Sequence, residues 1–185
     1  MKKSNLILLG ALGTALFFSL VFQVAVHSNI KKGKANEIPV KITSEFRTVS
    51  YFDAIKAANR VKIVFNQNDT VKVVVKAPNN VIDSVSTKVV DKKLVVSTSK
   101  KLKKTDSVLL HIDAPMLTKI DLSDNSHFET SGQISGERLN LEFKDKSSGN
   151  LNLSYDFVRY INNTEGTVNL QGEIKKIDFV SNKKQ

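Results

Sequence analysis

The sequence predicts an all-β body preceded by one apolar N-terminal helix. Three features of its patterning carry that prediction. Apolar residues alternate with polar ones at period two beyond Val40. Apolar–polar–apolar triplets recur through the last third of the chain. Before all of this, Leu6 to Val26 forms a run of 21 residues without a charge.

The N-terminal run comes first. At about 1.5 Å per residue its helix is roughly 30 Å long, the thickness of a bilayer's hydrocarbon core. A cleaved secretory signal has a shorter apolar region of about 7–15 residues and a small-x-small cleavage site. Here Val26 and His27 crowd the only candidate site, and no Cys follows to carry a lipid. Residues 1–30 are therefore expected to form an uncleaved signal-anchor that contacts the cytoplasmic membrane through Leu6 to Val26. Lys2 and Lys3 flank one end, and Lys31, Lys32 and Lys34 the other, so the positive-inside count is nearly tied. A five-residue N-terminal tail is easily retained inside, which places the body in the periplasm or cell exterior. Residues 31–44 read as a linker, and residues 45–182 as the body.

Within the body, local patterns define strands. Val61–Phe65 and Val71–Val75 flank Asn66-Gln67-Asn68-Asp69-Thr70, which predicts a hairpin. Val85–Val90 and Lys93–Thr98 predict a second hairpin around Asp91-Lys92. Val108–Asp113 is a strand ended by Ala114-Pro115. Helical periodicity is scarce, with at most one turn over Asp53–Ala58. The triplets Ile120-Asp121-Leu122, Leu139-Asn140-Leu141, Leu151-Asn152-Leu153, Val168-Asn169-Leu170 and Ile177-Asp178-Phe179 recur at about 16–20 residues. Gly149–Leu153 matches Gly166–Leu170 at an offset of 17. Such short strands cannot bury themselves alone. Stacked coils of a β-solenoid would bury them as columns, with Asn side chains at 140, 150, 152, 162, 163 and 169 forming ladders. An antiparallel sandwich with evenly spaced hairpins fits the same spacing.

Composition excludes several chemistries. The absence of Cys removes disulfides, thiolate metal sites and a cysteine nucleophile. The net charge of +10 shrinks by half once the five lysines of residues 1–34 are set aside. The remaining excess sits in Lys92-Lys93 and Lys100-Lys101-Leu102-Lys103-Lys104. That cluster lacks interleaved aromatics, so it reads as a solvated inter-strand segment and no nucleic-acid partner is expected. Asp121, Asp124, His127 and Glu129 fall within nine residues, and alternation would put three of them on one face. Their spacing matches no calcium loop, so they read as a solvated corner with no metal and no cofactor. His111 reads as a polar-face residue. No Gly-x-Ser-x-Gly elbow, phosphate loop or dinucleotide fingerprint occurs, and no catalytic residue is assigned. Paired carboxylates of a polysaccharide-acting enzyme are the remaining enzymatic alternative. The 7% aromatic content without Trp argues against a sugar cleft of that kind.

A longer-range pattern adds to this. Phe46, Val49, Phe52 and Ile55 fit an "F-x-x-I-x-x-F-x-x-I" opening. Val61–Gln67, Val71–Val81 and Asp91–Val96 continue it, and Val108–Ser123 fits "v-x-I-x-x-P-x-L-x-x-I-x-L-S". Over about residues 45–180 the chain resembles the head GIN domain family of Bacteroidota, a domain of unknown function labelled putative auto-transporter adhesin. Asp124–Phe128 is bulkier than the family's usual small residues at that step. The resemblance implies a right-handed β-helix or β-solenoid. It also implies a nonenzymatic, adhesin-like module whose partner is a glycan, an envelope polymer or an envelope protein. The ectodomain of an envelope signalling or scaffold system is the alternative.

Overall fold

The computed structural model describes residues 18–23, 41–99, 102 and 106–181. The chain divides into two units, residues 1–40 and residues 41–185. In the first, residues 18–23 are helical, and Phe18, Leu20, Val21 and Phe22 are exposed. The rest of the expected span from Leu6 to Val26 lies outside the described residues. Among the described residues no helix is long and apolar enough to cross a membrane.

The second unit is all-β. Its strands are β1 (Ile42–Arg47), β2 (Ala54–Ala57), β3 (Val61–Gln67), β4 (Lys72–Pro78), β5 (Val85–Val90) and β6 (Lys93–Thr98). They are followed by β7 (Val108–Ala114), β8 (Lys119–Leu122), β9 (His127–Asp145), β10 (Ser148–Thr164) and β11 (Val168–Ser181). The first strand begins within the residues read as a linker. A short 3-10 turn, Ile82–Ser84, precedes β5.

Parallel pairing dominates. β2 lies between β6 and β8, and β3 lies between β7 and β9, all in parallel. The long β9 runs along β3 with Phe128 opposite Ile63, then along β8 with Leu141 opposite Ile120. β10 follows β9, and β11 follows β10, also in parallel. Antiparallel pairs are confined to β1–β4, β4–β7 and β5–β6. An antiparallel sandwich is therefore not what forms. The Asp91-Lys92 hairpin is present, with both residues at positive φ as a two-residue turn requires. The hairpin expected between β3 and β4 is not. β7 sits between them and buries Val108, Leu110 and Ile112, a better apolar partner than the short link could impose.

Residue offsets also differ from the sequence reading. Ile120 lies beside Leu141, Leu141 beside Tyr160, and Tyr160 beside Phe179, which are steps of 21, 19 and 19. Gly149 pairs with Val168 and not with Gly166, so the 17-residue match is out of register. Among the described residues, only one proposed asparagine pair is bonded: Asn169 Nδ2 donates to Asn150 Oδ1 at 2.9 Å.

The core is a set of columns running across the strands. Leu94, Ile55, Ile120, Leu141 and Tyr160 are buried in one, and Leu110, Ile63 and Phe128 in another. Each fully buried side chain of this size contributes about 1.5–3 kcal/mol relative to exposure. Phe65 stacks on Phe128 at 6.1 Å, and Phe143 meets Tyr160 edge-on at 6.0 Å. The last strand is less covered: Ile177 and Phe179 are about half exposed.

Corners are held by polar groups. Asn59-Arg60 and Asp124-Asn125 turn between strands at positive φ, and the Arg60 amide donates to Asp124 O at 2.9 Å. At the next corner Thr164 is buried. Its Oγ1 donates to Ser147 O at 2.7 Å and accepts from the Gly166 amide at 2.9 Å. Gly166 is required there, because a Cβ would sit 2.1 Å from Ser147 O.

Two outcomes follow. Thr164→Val keeps the shape but leaves the Gly166 amide without that acceptor, and should cost about 1–3 kcal/mol in denaturant melts. Tyr155 is buried and donates to Leu117 O at 3.0 Å, and burial pushes its phenol up to about 12. An acid whose folded pKa is raised stabilises fully below its unfolded value near 10 and loses that contribution as pH rises through 12. Tyr155→Phe should remove this part of the alkaline loss of stability, read as melting temperature between pH 9 and 12.

Candidate functional site

Among the described residues, three neighbouring clefts have lining residues in common. The largest, about 610 Å³, lies where the end of β1 faces the 82–84 turn, the start of β5 and the end of β6. Alternation in β6 turns Leu94 and Val96 into the core and puts Thr98 on that same face, while Ser97, opposite Ser86, lies on the other. Seven hydroxyl residues line the cleft: Thr48 from beyond β1, Ser84, Ser86 and Thr87 from the turn and β5, and Ser97, Thr98 and Ser99. Phe46 stands at the wall, 74% exposed, with the Lys72 ammonium 5.3 Å from its ring centroid.

Thr98 and Ser99 also line a second cleft of about 350 Å³ with Asn59, Arg60, Asp124 and Asn125. Arg60 and Asn125 in turn line a third of about 440 Å³, beside Lys62, Asp106 and Lys146. The four positive-φ corner residues Asn59, Arg60, Asp124 and Asn125 thus all face the second cleft. Asn and Asp accept that conformation readily, whereas Arg does so at a cost.

The first cleft is distinguished by unmet hydrogen bonding. Among the described residues three buried side-chain atoms have no partner, and two of them, Arg47 Nε and Thr98 Oγ1, belong to its lining. Each such group costs about 1–3 kcal/mol, so two in one cleft require an explanation. The Arg47 fork is otherwise engaged, donating to Ile82 O at 3.2 Å and pairing with Glu45 at 2.8 Å.

The residues singled out in the sequence are divided. Asp121 sits on β8 and pairs with Lys144 at 3.2 Å and Lys56 at 3.9 Å. The hydrogen bonds that Lys144 donates, to Glu142 above all and then to Asp121, raise its pKa. Asp124 is a corner residue. His127 and Glu129 share a face of β9, where Glu129 meets Lys62 at 2.9 Å and His127 Nε2 at 3.4 Å. The Lys62 hydrogen bond holds the Glu129 carboxyl below its usual range. β8 runs beside the far half of β9, so Asp121 faces Glu142 and not His127. Among the described residues no group of three or more acids or histidines is placed to hold a metal. His111 lies on β7 between Val64 and Val74, partly buried. Of the lysine cluster, Lys92 is a turn residue, and Lys100, Lys101, Lys103 and Lys104 lie outside the described residues.

One juxtaposition was not readable from sequence. Ser148 Oγ lies 2.8 Å from His127 Nδ1, which places Ser148, His127 and Glu129 in line. A nucleophile of this type also needs amide donors for an oxyanion. Here the Ser148 amide donates to Ser126 O at 2.9 Å and the Gly149 amide to Thr167 O at 3.0 Å. Both are committed to the ladder. Ser148 should therefore resist a fluorophosphonate probe, read by intact mass. Labelling that disappears in His127→Ala would contradict this.

Comparison with known proteins places the chain. The family described as "putative auto-transporter adhesin, head GIN domain" matches over residues 51–184. No curated protein matches. The crystal structure of a putative adhesin from Bacteroides fragilis aligns with TM-score 0.61 at 18% identity, covering 70% of this chain and 61% of that one. A putative lipid binding protein from Parabacteroides distasonis aligns with TM-score 0.63 at 13% identity, covering 76% and 67%. A putative adhesin from the same species gives TM-score 0.63 at 17% identity, covering 77% and 71%. At these identities the likeness is one of fold, and the chain spans about three-fifths to seven-tenths of each of these structures. The match over residues 51–184 makes the chain a member of the head GIN domain family, putative auto-transporter adhesins.

Proposed function

We propose that this chain is a membrane-anchored, nonenzymatic β-solenoid module in the periplasm or at the cell exterior, and that it binds an envelope polymer through its joined clefts. The observation that carries the reading is a set of three neighbouring clefts with lining residues in common, Thr98 and Ser99 for the first two and Arg60 and Asn125 for the last two. An extended chain bearing many hydroxyls suits such a path, because each neutral hydrogen-bonding wall residue meets a repeating partner. The polar lining favours a polymer over a lipid tail, which needs an apolar cavity. Parallel strand pairs with steps of 19–21 residues support the solenoid reading. The charge-free run from Leu6 to Val26 supports the anchor. Family membership supports an adhesive role.

The test uses the intact chain in a bacterial host. Spheroplasts treated with protease should lose the body from a full-length, membrane-bound product. Isolated envelope polysaccharide should then retain the detergent-solubilised intact chain. A body protected until lysis, or no retention by any envelope fraction, would contradict the proposal.

A further inference from the structure

We infer that the outer face of the sheet formed by β5, β6, β2 and β8 carries an anionic polysaccharide, whose acid groups meet a stripe of lysines. The inference rests on the polymer-binding reading above and names the charge and the path of that polymer. Strand register builds the stripe. Leu94, Ile55 and Ile120 lie side by side and point into the core, so their neighbours along each strand point outward. On that outer face Lys88 of β5 stands opposite Val95, and Val95 stands opposite Lys56 of β2. Two residues away along the strands, Lys93 of β6 stands opposite Ala54, and Ala54 opposite Lys119 of β8. The four lysines thus alternate between two rows, one on each of four neighbouring strands. Adjacent strands are about 4.8 Å apart, so a cation recurs at that interval across the sheet. Lys144 of β9, bonded to Asp121 at 3.2 Å, and Arg159 of β10, in register with Asn140, continue the line.

Charge decides what fits. Asp121, Glu142 and Asp178 are the carboxylates of this face; the first two hold Lys144, and Asp178 holds Arg159. Asp121 also reaches Lys56, at 3.9 Å. Among the described residues Lys88, Lys93 and Lys119 form no ion pair. The cationic surplus survives the addition of Asp53, Asp91 and Lys92 at the near rim. β6, β2 and β8 are interior strands, so Lys93, Lys56 and Lys119 do not guard a sheet edge. Like charges on adjacent strands repel, and here Val95 and Ala54 stand between them in place of acids. An extended polyanion laid across the strands relieves that repulsion at each step. Among the described residues of this face Val90 alone is an exposed large apolar side chain, too little to seat the face in a bilayer. Lys88, Ser86 and Ser97 share the face and also line the first cleft, so a chain seated there is led onto the stripe.

The intact chain in nanodiscs of zwitterionic lipid is titrated by calorimetry with hexagalacturonate and with its methyl ester, which has the same backbone and no charge. Hexagalacturonate should bind about tenfold or more tightly than the ester. Its affinity should fall as salt rises from about 50 to about 300 mM. Lys93→Glu with Lys119→Glu should weaken binding about tenfold or more, and Lys93→Gln with Lys119→Gln by a smaller factor. Both pairs should melt at or above the parent, because they relieve repulsion between neighbouring lysines, so a loss of binding is not a loss of fold. Lys41→Glu with Lys76→Glu changes the net charge equally, away from the stripe, and should stay within about threefold of the parent. A control pair that weakens binding as much as the stripe pair would reduce the effect to net charge and overturn the inference. Equal or tighter binding of the ester would overturn it too. Capture of anionic lipid vesicles without binding of hexagalacturonate would assign the stripe to a bilayer surface instead. Retention on native envelope polysaccharide that Lys93→Glu with Lys119→Glu leaves unchanged would overturn this inference alone, and retention by no envelope fraction would overturn the parent reading as well.

Discussion

The body depends on the parallel pairing of β9. One strand, His127–Asp145, lies along β3 with its first residues and along β8 with its last, and offers its other edge to β10 throughout. By pairing with two different partners along one edge, β9 ties two groups of short strands into one sheet. Phe128 and Phe143, near the two ends of β9, are both fully buried. β10 and β11 repeat the path at one strand's spacing. Without β9, the β2–β6–β8 group and the β3–β7–β4 group have no common edge.

This arrangement explains how much the sequence could reveal. The strands from β3 to β8 were legible because each alternates over four to seven residues, whereas β2 lies within Asp53–Ala58, read as at most one helical turn. Val85–Val90 and Lys93–Thr98 could be paired because Asp91-Lys92 suits a tight turn. The triplets pointed to buried positions, since Ile120, Leu122, Leu139, Leu141, Leu151 and Leu153 are all in the core. Their register was not legible. β9, β10 and β11 are 14 to 19 residues long and run on without a turn signal between their halves, so counting from triplet to triplet compared positions on different parts of one strand. The insertion of β7 between β3 and β4 was equally hidden, because a pairing over more than 40 residues leaves no local mark.

The clefts arise from the same geometry. Short strands leave their ends at a common rim, where the corner residues stack from one pass to the next, as the Arg60 amide on Asp124 O illustrates. Thr48, Ser84 and Ser99 come from three separate segments and converge only after folding. No motif could have announced them. Phe46 was visible as the first aromatic of the family pattern, but nothing in the pattern indicates that its ring faces solvent. By contrast, the acidic residues between Asp121 and Glu129 looked like a cluster in sequence and are separated by the strand change from β8 to β9. Proximity along the chain overstated their association, and distance along the chain concealed the cleft.

The most direct test is a map of the bound surface. The intact chain, isotopically labelled in nanodiscs, is titrated with envelope polysaccharide fragments while backbone amide shifts are followed. The account predicts shifts concentrated at Ser97, Thr98, Ser99, Asn59 and Asn125, which line the neighbouring clefts. Shifts confined to β10 and β11, or none at saturating polymer, would contradict it.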